Sequence, residues 1–156
     1  MKTASSVLLF IAVSLLACDQ PTPLDYATEL EAKKTADGIA YTLSIPKNVF
    51  ALSDSLKLTF RVQNESNAAK EFVFANQQQF AFQLTDASGN IALFYPLIVQ
   101  PAGSGFSLQP GESTLFSMSL LFKDHNGNFI NQGDYRLSAS LAEGKSPAVS
   151  LQISVQ

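Results

Sequence analysis

The stretch Leu56-Lys57-Leu58-Thr59-Phe60-Arg61-Val62-Gln63-Asn64 alternates apolar and polar side chains without a break. Successive side chains of an extended chain point to opposite faces, so Leu56, Leu58, Phe60 and Val62 share one face while Lys57, Thr59, Arg61 and Gln63 share the other. This is the pattern of a strand with one side against a core and the other against water. Toward the N-terminus, Ile39, Tyr41, Leu43 and Ile45 alternate in the same way until Pro46, which cannot donate to a ladder. Toward the C-terminus the period returns in Phe72 and Phe74, in Phe80 to Leu84, in Ile91 to Tyr95, in Phe106 and Leu108, in Phe116 to Phe122, in Tyr135 to Leu141 and in Val149 to Val155. Turn chemistry separates these runs at Asp86-Ala87-Ser88-Gly89-Asn90, at Pro110-Gly111 and in the polar loop Asp124 to Gly133. The reading is eight or nine short strands spaced about ten residues apart, with no amphipathic helix in the body, and it predicts an all-β antiparallel sandwich over residues 38–156. The short connection Asn76 to Gln79 predicts a hairpin between the Phe72–Phe74 and Phe80–Leu84 strands.

With 156 residues, 46% of them hydrophobic and 15% charged, the chain can build one ordinary core but not two comfortable domains. A formal net charge of −3 provides no broad basic surface, so nucleic acid is not an expected partner. The N-terminus reads as a targeting segment. Lys2 precedes an apolar run from Val7 to Leu16, and ten residues of helix rise only about 15 Å, roughly half of a bilayer's hydrocarbon core. This is the length of a leader's apolar region and not of a membrane span. Leu15-Leu16-Ala17-Cys18 resembles the lipobox of bacterial lipoproteins. The resemblance implies removal of residues 1–17 as a signal peptide and acylation of Cys18 by fatty acids such as palmitate. The plainer reading is a secretory signal whose end happens to carry a cysteine. Cys18 is the only cysteine, so no intrachain disulfide can occupy it. Two or three acyl chains would anchor the protein stably. Residues 18–37 then read as the lipidated cysteine and a tether, extended at its start by Pro21 and Pro23. The expected address is the bacterial cell envelope, with the domain extracytoplasmic. Asp19 resembles the inner-membrane retention signal of some enteric bacteria, and the choice between inner and outer membrane stays open.

A second resemblance covers Leu56 to Leu141. The strand ending in Asn64, the Phe72 to Phe82 segment carrying Gln78, the Asp86 to Gly89 turn, Gln100, Leu108-Gln109-Pro110-Gly111-Glu112 and Gly133-Asp134-Tyr135 occur in this order. Together they resemble the intracellular proteinase inhibitor (BsuPI) family of small immunoglobulin-like domains. The resemblance implies an immunoglobulin-like antiparallel β-sandwich and raises serine protease inhibition as an expected activity. The chain departs from that pattern at Ala81, where the family often carries an acidic residue, and at Phe94 and Tyr95, where it often carries Trp.

Catalytic chemistry finds little support in the residues. His125 is the only histidine and sits in the loop sequence Lys123-Asp124-His125-Asn126-Gly127-Asn128, whereas a Ser/His/Asp triad needs an oriented, buried imidazole. One histidine and one lipidated cysteine cannot supply a tetrahedral zinc set. Asp124, Asn126 and Asn128 alternate like calcium ligands, but the sixth and twelfth positions of an EF-hand loop would be Phe129 and Tyr135 in place of Gly and Glu. Acidic residues are scattered singly and form no dyad. The expectation is a non-enzyme without metal or cofactor, which recognises a partner through loops on a rigid scaffold. The candidate binding loop is Leu97, Ile98, Val99 and Gln100, within the apolar, bent segment Pro96 to Gly105; the loop Asp124 to Gln132 comes next. The plainer reading of Leu97 to Val99 is a lid over the end of the core. The expected function is a membrane-anchored protein-binding module, in its sharpest form an inhibitor of a serine protease. The alternative is a structural or interaction lipoprotein of the envelope that inhibits nothing.

Overall fold

The computed structural model describes residues 29–156, so the leader, Cys18 and most of the tether lie outside the described residues. Eleven strands follow in chain order: β1 (Leu30–Ala36), β2 (Ile39–Ile45), β3 (Val49–Phe50), β4 (Ser55–Asn64), β5 (Lys70–Phe74), β6 (Phe80–Asp86), β7 (Ile91–Tyr95), β8 (Ser104–Leu108), β9 (Ser113–Leu121), β10 (Gly133–Leu141) and β11 (Val149–Val155). One sheet has the order β1-β2-β4-β9 and the other β3-β11-β10-β6-β7, while β5 and β8 form a separate ribbon. The protein is an all-β sandwich of the immunoglobulin kind. The chain passes from one sheet to the other between β2 and β3, and β10 and β11 are neighbours in the second sheet, as the last two strands of such a domain are. Tyr135, near the start of β10, donates its hydroxyl to the Asn131 carbonyl at 2.6 Å, the tyrosine corner of this architecture.

The organising strand behaves as its alternation demands. Leu56, Leu58, Phe60, Val62 and Asn64 of β4 are buried, and the residues between them face outward. Opposite them, Phe80, Phe82 and Leu84 of β6 and Tyr135, Leu137, Ala139 and Leu141 of β10 close the core. All seven residues of β2 are buried, including the outward Thr42 and Ser44. Register explains this: Thr42 lies between Lys33 and Arg61, whose long stems cover small neighbours, and Ser44 donates to Glu31 Oε1 at 3.1 Å.

Four expectations change. The sheet begins before Ile39, because Leu30–Ala36, inside the stretch read as tether, pairs along its whole length with β2. Asp37 (φ 51°) and Gly38 (φ 76°) form the tight turn between the two strands, and both take the left-handed backbone that a two-residue hairpin requires. The strands number eleven, not eight or nine, and one pair, β3 with β11, is parallel. The Phe72–Phe74 strand does not form a hairpin with the Phe80–Leu84 strand: β5 pairs with β8, and β6 pairs with β10 and β7. The ribbon wins because it stacks Phe72 on Phe106 at 4.7 Å and lays Phe106 against Phe116 at 6.0 Å, so both strands bury rings against the end of the sandwich. Finally, a bulge between Leu84 and Thr85 shifts the register of β7, so Ile91 leaves the inward row of Leu93 and Tyr95 and faces solvent.

Candidate functional site

Both sheets end on the same side of the sandwich, one at β9 and the other at β7, and between these edges the core is open. The opening is a cleft of about 470 Å³ floored by Phe82, Leu93, Tyr95, Met118 and Leu120. Leu97 and Leu121 stand at its mouth, with Lys123, Asp124 and His125 along the rim. Phe116, Met118 and Leu120 of β9 point inward yet are only half-buried, because no fifth strand of their sheet covers them. A smaller hollow continues the cleft along β9 past Phe116, Tyr95 and Gln77 to Gln79.

The structure brings the two loops singled out in the sequence to this opening. Leu97, Ile98 and Val99 are 58%, 79% and 52% exposed, so they do not form a lid over the core. They project from a fixed base. The Gln100 carbonyl accepts N–H bonds from Gln77 at 3.2 Å and from Ala102 at 2.8 Å, and Ser104 Oγ donates to the Asn76 carbonyl at 2.7 Å. Asn76 is held in turn by Glu143, whose Oε1 accepts from the Ala75 N–H and from Asn76 Nδ2. Gln100 therefore anchors the loop through its backbone, while the three apolar side chains are free to meet a partner. Tyr95 donates its hydroxyl to Gln78 Oε1 at 3.1 Å, which fixes one wall of the cleft.

The Asp124 loop is a turn held by its own carboxylate. Asp124 Oδ1 accepts the N–H groups of Asn126 and Asn128, both at 2.9 Å, while the Gly127 N–H bonds to the Asp124 carbonyl. The Asp86 turn repeats the arrangement, with Oδ1 accepting from Ser88 and Asn90 and the Gly89 N–H bonding to the Asp86 carbonyl. These bonds explain the electrostatics. The Asn128 N–H holds the Asp124 carboxyl below the usual carboxylate range, and the Asn90 side chain, with its N–H, does the same for Asp86. An oxygen committed to two amides is poorly placed for a cation, and among the described residues no three His, Cys, Asp or Glu side chains gather as a metal site. His125 is exposed on the rim beside Lys123 and Asp124.

Sequence reading misses the cleft itself. Its walls come from β7 and β9, which lie far apart in the chain, and only the bulge and the sheet order bring them together. One signal is present: β9 reads Ser113-Thr114-Leu115-Phe116-Ser117-Met118-Ser119-Leu120-Leu121, with no charge in nine residues.

No family model matches the chain, and no curated protein matches it. Solved structures with similar strand arrangements include a β-glucosidase from Erythrobacter marinus (15% identity, TM-score 0.48), covering 76% of this chain and 15% of that one. An alkylpurine DNA glycosylase from Pseudomonas fluorescens, bound to DNA containing an abasic site analogue, is similar over 72% of this chain and 28% of its own, at 13% identity and TM-score 0.48. A CARDB domain from Pyrococcus furiosus, in complex with di-metal ions, is similar over 73% of this chain and 84% of its own, at 13% identity and TM-score 0.44. The chain thus spans less than a third of the two enzymes. Likenesses this weak carry no argument about activity.

Proposed function

We propose that this protein is a non-enzymatic protein-binding module, held at a membrane of the bacterial envelope through lipid on Cys18, and that the open side between β7 and β9 is its recognition surface. The observation that carries this reading is the loop at Leu97, Ile98 and Val99, three exposed apolar side chains on a hydrogen-bonded base beside an apolar cleft. Exposing such a surface has a cost in water, and in folded proteins a contiguous apolar patch marks a place where another molecule sits. Membrane attachment rests on the lipobox-like Leu15-Leu16-Ala17-Cys18.

The sharp form of the proposal is inhibition of a serine protease, in which the Leu97 to Gln100 loop enters the protease cleft. Its resistance to cutting would come from the Gln77, Asn76 and Glu143 bonds that hold its base. Titrating the full-length chain against a panel of active-site-titrated serine proteases tests it. Saturable, stoichiometric loss of activity that disappears in Ile98→Asp is the expected result. An unaffected panel, with the chain intact afterwards, would end the inhibitor reading and leave an envelope binding module.

A further inference from the structure

The two sheets present four edges, and three carry devices that keep folded proteins from pairing with other chains. β1 carries Glu31, Lys33 and Lys34; β3 is two residues long; β7 is kinked by its bulge and followed by Pro96. β9 has none of these. It is nine residues long, uncharged, free of proline and in unbroken register with β4, and among the described residues no strand pairs with its other side.

The space beside it is shaped for one strand. Phe80 of β6 stacks on Phe60 of β4 at 5.5 Å and on Phe116 of β9 at 5.6 Å, which sets β6 beneath the β4–β9 seam. The next strand, β7, therefore lies beneath the seam between β9 and the empty position beside it. The cleft opens at this unpaired edge, where another strand of the β9 sheet would lie.

We propose that the cleft is a strand-acceptor site, in which an extended segment of a partner protein adds to β9 and completes the sheet. Alternate apolar side chains of the segment enter the cleft against Leu93, Tyr95, Met118 and Leu120. The side chains between them face outward near Lys57, which is in register with Ser119, and near Lys123 on the rim, so neutral polar or acidic residues suit them. Asp124 is also on the rim, with Oδ1 committed to its own turn. Main-chain bonds to the free edge supply affinity, and the cleft supplies selectivity by side-chain size. The open run beside Ser117 to Leu121 takes about five residues, about 17 Å of strand. A second copy does not fit, because two-fold pairing of β9 with itself would bring a second β7 into the position the first one holds. Residues 19–28 of the chain itself are poor occupants: they include Asp19, Pro21, Pro23 and Asp25, and they precede β1 in the chain, which is the edge opposite β9. This inference rests on the protein-binding reading and specifies how the partner binds.

The test uses the full-length chain and a short fluorescein-labelled peptide in which Thr or Glu alternates with Val or Leu, compared with an isomer whose apolar residues are grouped at one end. Saturable binding of the alternating peptide, slowed amide hydrogen exchange across residues 113–121, and at least about tenfold weaker binding to Leu121→Glu are expected. Leu121 is already exposed, so this variant should keep its fold, as its thermal transition will show. Val73→Glu, on the exposed face of the ribbon, should bind like the native chain. Equal binding of both peptides, or binding without protection of 113–121, would overturn the proposal. So would self-association through β9, seen as a dimer that Leu121→Glu dissolves. A natural partner whose capture fails with Ile98→Asp but survives Leu121→Glu would overturn strand addition while leaving the protein-binding reading standing.

Discussion

Asn64 shows how much one buried side chain can organise. Fully buried at the end of β4, it donates from Nδ2 to the Ala68 carbonyl at 2.7 Å and the Leu108 carbonyl at 2.9 Å, and its Oδ1 accepts from the Ser66 N–H and hydroxyl. Its backbone also bonds with Glu112 and Gly111. One amide thus ties β4, the following turn and the end of β8, with every polar atom satisfied. Asn64→Ala should cost about 2–3 kcal/mol in denaturant unfolding, because it strands buried partners. Asn64→Asp should cost more at neutral pH, since a carboxylate would face two carbonyls. Tyr135→Phe removes only the corner hydrogen bond and should cost about 1 kcal/mol. A pH dependence follows from three carboxyls. Asp54, held by the Lys47 ammonium and the Ala51 N–H, joins Asp86 and Asp124 below the usual carboxylate range. Folded values below unfolded ones mean stabilisation that is complete above about pH 4 and is lost as the pH falls through the lower folded values. The thermal midpoint should therefore be flat near neutrality and fall in acid, and Asp86→Asn together with Asp124→Asn should flatten that fall. An unchanged acid limb in the double variant would remove these turns from the explanation.

At the scale of the element, the β5–β8 ribbon supports the site. A Cβ at Gly105 would lie 2.7 Å from the Phe72 carbonyl oxygen, inside contact distance with backbone that cannot turn aside. Gly105→Ala should therefore destabilise by about 1–3 kcal/mol, measured by denaturant unfolding. A neutral substitution there would contradict the close packing of the ribbon. Period-two alternation makes β2, β4, β6, β10 and β11 legible from the amino-acid sequence, because each has one face in the core. β1 is not legible in the same way. Its run Leu30-Glu31-Ala32-Lys33-Lys34-Thr35-Ala36 buries almost nothing, so hydrophobic period is silent, although Asp37-Gly38 is a strong hairpin signal in front of Ile39. The partner of β5 is illegible for another reason. Local spacing favours Phe80, and only the packing of Phe106 on Phe72 and Phe116 selects β8.

At the scale of the whole molecule, the sandwich leaves one side open between β7 and β9, and this is the side proposed as its recognition surface. The apolar loop is readable from composition, since Leu97, Ile98 and Val99 sit among prolines and glycines; its exposure is not, because only the Gln77–Gln100 bond and the course of β7 decide which way it turns. Intact mass of the membrane-extracted protein checks the tether: cleavage before Cys18 with an acylated terminus is expected, and an unmodified thiol at position 18 would contradict it. The most direct measurement places a photo-crosslinking amino acid at Ile98, and separately at Thr35 on the far edge of the same molecule, in living cells. The account predicts a discrete protein adduct from position 98 and none from position 35. Adducts at neither position, or equally at both, would contradict the assignment of the open side as a binding surface.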